Sequence, residues 1–345
     1  MTRVPGPPSL DGAHPLPAAP RSRRPALGHD PLSDPGVERA DPLAWSPPPP
    51  PALPARPGPR RLCDVELGPP DLVDRLLDED ARRRITSLRG LAPEEGSVDP
   101  FGFSPEVARR ALPAFLVLYR RWFRVRSRGH EHLPRHGPFI VAANHGGLLP
   151  FDGAMAVLDV LLNTDPPRLP RAIVDRWAGE LPFVNVFYAR VGQVVGTREN
   201  FADLLDDEQL VLVFPEGIDG IRKTVAQRYR LQAFRVGFVE QALRARAPIV
   251  PMAVVGSEDQ APILYDVKPL ARALGLPVAP LTPTFPWLGP LGLLPYPVRY
   301  RIVYGEPLAF HERFGPEGAD DARLVDYLAR QVRSAVQKLI DRERT

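Results

Sequence analysis

Cysteine occurs once in the 345 residues, as Cys63. No internal disulfide can form and no cysteine-based zinc site can be built, which fits a reducing compartment. Lysine is almost missing as well. Lys223, Lys268 and Lys338 are the only three, so nearly all of the 44 basic side chains are arginines. Such a bias follows either from genomic base composition or from binding to anionic surfaces, because the guanidinium fork matches phosphate. The net charge is only +3, which argues against a dedicated nucleic-acid binder. The first residues carry no apolar h-region, so no secretory signal is expected. No apolar run reaches the ~18–20 residues of a membrane-spanning helix. The chain is therefore expected to be soluble or to rest on a membrane surface.

What is abundant is proline: 45 in all, 18 of them in the first 60 residues. A segment of Pro, Arg, Ala and Gly cannot bury enough apolar area to offset its ordering entropy, so residues 1–60 are expected to form a disordered or polyproline-like tail. Residues 61–100 read as a linker. It holds a short amphipathic helix over residues 66–84, with Leu67, Leu72, Leu76 and Leu77 among charged groups. Ser104-Pro105-Glu106 is a helix start, with an N-cap serine and a first-turn proline. The helix runs toward Phe123 and mixes Leu112, Phe115, Leu116, Tyr119 and Trp122 with arginines. That content suits a membrane-interface helix as well as a helix packed on a domain.

From there strands and helices alternate. Residues 123–128, 139–143, 210–214, 249–255 and 298–304 read as strands, and 186–195 as two short extended pieces. Residues 152–162, 231–246 and 322–342 read as helices. The last carries Leu324, Leu328, Val332, Val336, Leu339 and Ile340 on one face. The expected fold is α/β, a mixed, largely parallel sheet flanked by helices.

Three strand ends carry polar chemistry. Ile140-Val-Ala-Ala-Asn144-His145 is an apolar run ending in histidine, followed by Gly146, Gly147, Pro150 and Asp152. Ligands of α/β folds sit beyond the carboxyl ends of strands. Neutral imidazole is the natural general base near neutral pH, and a carboxylate on its other nitrogen fixes the tautomer. The glycines let the loop turn back, and its N–H groups can face an oxyanion. The alternative is a surface histidine and an N-cap aspartate with no partnership. Val213-Phe214-Pro215-Glu216-Gly217 is the second such end, followed by Asp219, Arg222 and Lys223. It can place a polar head group or be a plain turn. The third is the buried run Ile249–Val255, bracketed by Pro248 and Gly256.

In this order the three signals resemble the glycerolipid, or lysophospholipid, acyltransferase superfamily, over roughly residues 100–310. The family's Asn-His-x4-Asp is similar to Asn144-His145 with Asp152, its glycine- and arginine-bearing block to residues 191–198, its Phe-Pro-Glu-Gly to Phe214–Gly217, and its Val-Pro-rich strand to residues 249–255. The His-to-Asp spacing here is six residues, with Pro150 where the family places Asp. The Thr-Arg after Glu-Gly is replaced by Ile218-Asp-Gly-Ile-Arg222.

The resemblance implies an acyltransferase domain over residues 101–345. It implies direct acyl transfer from acyl-CoA or acyl-carrier protein to a lipid hydroxyl, with His145 as base and Asp152 supporting it. No covalent intermediate is needed, in keeping with the lack of a Gly-x-Ser-x-Gly elbow. Glu216 and Gly217 would shape the acceptor pocket. Arg190, Arg198, Arg222 and Lys223 are candidates for a phosphate clamp, each also readable as a solvated surface charge. The acceptor is expected to be a lysophospholipid or glycerolipid, with no metal, no cofactor beyond the acyl co-substrate and no nucleic-acid partner. The expected location is cytoplasmic, peripheral to the inner face of the membrane. A thioesterase-like hydrolase and a non-catalytic lipid-binding protein are the alternatives.

Two further stretches stand out. His130, His132 and His136 form a cluster that reads better as a turn than as a metal site, given Gly129, Pro134 and Gly137. Residues 273–298 carry no charge and are rich in proline, with Trp287, Leu288, Leu291 and Leu294. They cannot form a continuous helix. They read as a loop that dips into a membrane interface or lines an acyl channel, or as a cap over the core.

Overall fold

A computed structural model of the protein describes residues 77–91, 97–273, 276 and 278–344. The proline-rich tail, Cys63, residues 61–76 and residues 92–96 of the linker lie outside the described residues.

Among the described residues the strands are β1 (Arg126–Arg128), β2 (Phe139–Ala143), β3 (Arg171–Val174), β4 (Val194–Val195), β5 (Leu210–Val213), β6 (Ile249–Val255), β7 (Tyr265–Asp266), β8 (Pro280–Leu281) and β9 (Arg301–Tyr304). The helices that interleave them are α1 (Glu79–Ser87), α2 (Pro105–Val117), α3 (Phe151–Asn163), α4 (Arg176–Glu180), α5 (Val184–Arg190), α6 (Arg198–Asp206), α7 (Ile218–Ile221), α8 (Gly237–Arg244), α9 (Lys268–Ala273), α10 (Phe310–Arg313) and α11 (Ala322–Arg344).

Seven strands form one sheet in the order β1-β9-β6-β2-β5-β3-β4. Strands β6, β2, β5, β3 and β4 run parallel, β9 is antiparallel to β6, and β1 is parallel to β9. The sheet is thus mixed and largely parallel, with helices on both faces. Burial on both faces explains the near-continuous apolar strands. Register assigns alternate residues to opposite layers. Val141, Leu212 and Val250 align and face the cluster that holds Leu112 and Leu158. Ile140, Val211 and Ile249 align and face the cluster that holds Leu243 and Val332. Each such side chain contributes about 1.5–3 kcal/mol on leaving water. In α11 the buried stripe is Val325, Leu328, Ala329, Val332, Val336 and Ile340, the period of a helix with one apolar face.

Helix α2 starts as expected, with Ser104 Oγ accepting the Val107 N–H. It then widens into one π-helical turn over Leu118–Trp122. Its Leu112, Leu116 and Tyr119 are buried in the core, so that face packs on the domain, while Val117 and Trp122 remain exposed.

Several sequence expectations shift. Residues 184–190 form a helix, α5, rather than an extended piece. The helix expected over residues 231–246 is formed only at Gly237–Arg244. In the segment before it, backbone N–H groups go to side chains instead, Leu231 N–H to Gln337 Oε1 and Gln232 N–H to Glu216 Oε2. The strand expected from residue 123 begins at Arg126, because Arg124 adopts a positive φ of 44°. Of the amphipathic helix expected over residues 66–84, residues 66–76 lie outside the described residues, and the described part is helical from Glu79 to Ser87.

Candidate active site

Strands β2, β5 and β6 are adjacent and parallel, so their carboxyl ends open at one edge of the sheet. His145 follows β2, Glu216 follows β5, and Ser257–Gln260 follow β6.

His145 and Asp152 are brought together. Nδ1 of His145 lies 2.6 Å from Oδ2 of Asp152. Asp152 is fully buried in the first turn of α3, where the helix dipole favours a negative charge. Its Oδ2 also accepts the Gly146 N–H at 2.9 Å, and its Oδ1 the Gly153 N–H at 2.8 Å. The helix N-cap is Pro150, so the aspartate is a partner of the imidazole and not a cap. An ionised carboxylate only accepts, so Nδ1 of the neutral ring carries the donated proton and Nε2 keeps its lone pair. Among the described residues no hydrogen bond engages Nε2. The ring stacks on Phe214, centroids 4.6 Å apart.

The two glycines are needed for closeness as much as for turning. Gly147 has φ +89°, and a Cβ there would sit 1.9 Å from Nε2 of Gln260. A Cβ on Gly146 would sit 2.4 Å from Cγ of Glu258. Two amides of this loop are already used: Gly146 N–H is committed to Asp152, and His145 N–H to Glu216 Oε1 at 3.0 Å.

His145 opens on a cavity of about 740 Å³. Its walls are mostly apolar, including Leu112, Phe115, Phe151, Trp177, Phe201 and Phe238. Tyr188 also lines it, and burial followed by the charge of Asp152 raises its phenol above the ordinary value. Arg176, Arg198 and Arg235 are the cations at its wall. Arg198 pairs with Glu240 at 2.9 Å and Arg235 with Asp175 at 3.5 Å.

The proposed phosphate clamp is not assembled. Of its four members only Arg198 lines the cavity. Arg190 donates to the Gly102 carbonyl at 3.4 Å. Arg222 donates twice to Asp266 Oδ2, at 3.0 and 2.9 Å. Lys223 is buried between two carboxylates, with Nζ 2.7 Å from Glu258 Oε1 and 3.2 Å from Glu216 Oε2. A buried ammonium held this way is a counter-ion for its neighbours and has no face for a ligand.

Gly217 lines the cavity, but Glu216 does not. The Glu216 carboxylate points behind the wall, where it takes the N–H groups of His145 and Gln232 as well as Lys223. Burial, opposed by Lys223, raises the carboxyl of Glu258 above the ordinary value. Glu258 and Gln260 were missed by sequence reasoning. The signal was available, since Gly256-Ser-Glu-Asp-Gln260 is also a polar turn at the end of a buried strand. Arg176 and Arg235, far from the motifs in sequence, carried no signal.

The remaining candidate residues fall elsewhere. His130 Nε2 lies 3.0 Å from Ser127 Oγ, and His132 Nδ1 lies 3.0 Å from the Tyr304 carbonyl, and neither lines the cavity. Among the described residues no group of three or more His, Cys, Asp or Glu could hold a metal ion. No described helix is long and apolar enough to cross a membrane. The described part of the uncharged stretch 273–298 does not line this cavity. Trp287, Leu288, Leu291 and Leu294 are exposed instead.

Fold and site define an α/β protein with a histidine–carboxylate pair at the mouth of an apolar cavity. A family model described as Acyltransferase matches residues 124–255. An uncharacterized protein of Mycobacterium tuberculosis is 41% identical over 259 residues, covering 74% of this chain and 72% of its own. One of Mycobacterium leprae is 42% identical over 257 residues, covering 74% and 70%. A human protein named as a DGAT1/2-independent enzyme synthesizing storage lipids is 23% identical over 228 residues, 64% of this chain and 62% of its own. Among solved structures, the 1-acyl-sn-glycerophosphate acyltransferase PlsC of Thermotoga maritima aligns with TM-score 0.45 at 17% identity, over 79% of this chain and 85% of that one. Residues 124–255 carry an acyltransferase domain, and the chain belongs to one family with these mycobacterial proteins.

Proposed function

We propose that the protein transfers a fatty acyl group from an acyl thioester, acyl-CoA or acyl-carrier protein, to the hydroxyl of a lysophospholipid or glycerolipid. The observation that supports this most is the 2.6 Å contact between His145 Nδ1 and buried Asp152, which leaves Nε2 free beside the apolar cavity.

The acceptor hydroxyl gives its proton to Nε2 as its oxygen attacks the thioester carbonyl. Asp152 stabilises the imidazolium that forms. The tetrahedral intermediate collapses, the carbon–sulfur bond breaks, and the leaving thiolate takes up the proton from Nε2. Ester and thiol are the products, and the chain's own residues need no further cofactor for this. The cavity walls hold acyl chain while Arg176, Arg198 and Arg235 lie where a charged or polar end emerges. The protein works from the cytoplasmic side, at the inner face of the membrane.

The test is product profiling by mass spectrometry, with mixed acyl-CoA and a panel of lipid hydroxyl acceptors. New ester with stoichiometric thiol release is expected. Free fatty acid as the only acyl product would make the protein a hydrolase. No turnover of any donor with any acceptor would leave a lipid-binding protein.

A further inference from the structure

Away from the acyl cavity, and sharing none of its lining residues, a second cavity of about 210 Å³ opens where β6 meets β9. Its walls bring together Arg228, Arg299, Arg301 and Arg344, with Tyr229 and one carboxylate, Asp259. That carboxylate is committed: Arg228 Nη1 lies 2.6 Å from its Oδ1, and the Tyr229 hydroxyl donates to its Oδ2 at 2.5 Å. Arg344 lies over the Tyr229 ring, 4.5 Å from its centroid, a cation–π contact that neutralises nothing. Among the described residues neither Arg299 nor Arg301 has a carboxylate partner.

The strand register adds to the imbalance. Across β1 and β9, Arg126 is set directly opposite Arg301, and Arg126 also lacks a described ion pair. Like charges facing each other across strands are destabilising. Next along β1, Arg128 is relieved by Glu343 of α11, which shows what a compensated position looks like in the same sheet. Among the described residues no acidic side chain does this for Arg299, Arg301 or Arg344.

Several guanidiniums converging on a small polar cavity, rigidly backed by a sheet, form the arrangement that takes multidentate oxyanions. We propose that this cavity is a binding site for a phosphate-type oxyanion. Two sources carry that chemistry: a soluble phosphate compound and the phosphodiester of an anionic lipid head group. The floor of the site is firm. The Tyr229 hydroxyl accepts the Gly256 N–H at 3.0 Å, and the Tyr229 N–H is donated to Glu258 Oε2 at 2.6 Å. Through Glu258, Lys223 and Glu216 that floor is joined to the backbone of His145.

The experiment uses the full chain at constant ionic strength and reads binding without acyl transfer, so it stands apart from the catalytic reading. Titration calorimetry is run with inorganic phosphate, and flotation with phosphatidylcholine vesicles with and without phosphatidylglycerol. Saturable heat with phosphate points to the soluble source. Retention only on phosphatidylglycerol vesicles points to the head group. In either arm Arg299→Ala with Arg301→Ala weakens binding about ten- to a hundredfold, as for lost charge-assisted contacts, while Arg323→Ala on α11 leaves it unchanged. Among the described residues neither side chain has an ion-pair partner to lose, so the double variant is expected to fold, checked by its melting curve. Absence of binding in both arms, or equal binding by the double variant, overturns the proposal.

Discussion

The carboxylate of Glu216 accepts the backbone N–H of His145 at 3.0 Å, although the two residues are 71 positions apart. The glutamate of the Phe-Pro-Glu-Gly motif therefore acts here on the loop that carries the histidine, from behind the cavity wall. With Asp152 holding the ring and Glu216 holding the main chain, the imidazole is fixed at both ends. Catalysis by a positioned base depends on such fixing, because small displacements cost large factors in rate.

His145→Ala is expected to lower acyl transfer by ~10²- to 10⁴-fold, with little change in melting temperature, since the ring is partly exposed and, among the described residues, is hydrogen-bonded to Asp152 alone. Asp152→Asn is expected to lose activity as well, because an amide N–H facing Nδ1 favours the wrong tautomer. Turnover with acyl-CoA and a lipid acceptor measures both, and near-normal rates in His145→Ala would remove the general-base role.

Lys223→Met is expected to damage stability first. It removes the one ammonium between Glu216 and Glu258, and breaking a buried pair on one side costs about 3–5 kcal/mol. Urea unfolding measures this. Glu258→Gln in the same background removes one of the stranded charges and is expected to recover part of the loss. If Lys223→Met is as stable as the wild type but fails only to bind acceptor, the ammonium is a ligand group after all.

Gly147→Ala and Gly237→Ala form a contrasting pair. Gly147 has φ +89°, and its new methyl would meet Gln260, whose Nε2 donates to the Leu149 carbonyl of the same loop. Alanine there is expected to distort the His145–Asp152 loop and to reduce kcat by more than its stability loss alone explains. A Cβ at Gly237, the start of α8, meets nothing within 4 Å. Alanine at that position is expected to be neutral or to stabilise by roughly 0.4–1 kcal/mol through the unfolded chain. Kinetics and urea curves on both variants check the pair.

What the sequence revealed, and what it hid, divides along one physical line. Strands β2, β5 and β6 are continuous apolar runs ended by Asn144, Pro215 and Gly256, and such runs are local signals. The His145–Asp152 pairing needed only a bendable loop of six residues. By contrast, Val184–Arg190 has β-branched and aromatic residues that read as strand, yet it forms a helix whose Phe187 and Tyr188 line the cavity. Tertiary packing overrode propensity there. The fates of Arg222 and Lys223 were hidden for a similar reason. Their partners Asp266 and Glu258 lie 44 and 35 residues away, and nothing in the spacing announces a buried counter-ion. The arginine pocket joins residues from 228 to 344 and is legible only once β9 is laid against β6.

Alkaline pH is expected to unfold the protein through a cluster on the opposite side of the sheet from Tyr229. Tyr119 donates to Asp159 Oδ1 at 2.5 Å and Tyr304 to Oδ2 at 2.7 Å. Burial first, and then the negative charge of Asp159, push both phenols above the ordinary value of 10.0. The unfolded chain therefore releases these protons near pH 10 while the folded chain keeps them. Stability from this source is complete below pH 10 and is lost as pH rises through the folded values, because the unfolded state then binds fewer protons. Each such tyrosine adds a slope of about 1.4 kcal/mol per pH unit once its unfolded form is ionised. Tyr304→Phe removes one titrating group, so its slope above pH 10 is shallower by about that amount. The variant is also less stable at neutral pH, by about 1–3 kcal/mol, since the buried Asp159 loses a donor. Urea unfolding across the alkaline range measures the slopes, and parallel curves for wild type and variant would show that the phenol of Tyr304 does not hold its proton on folding.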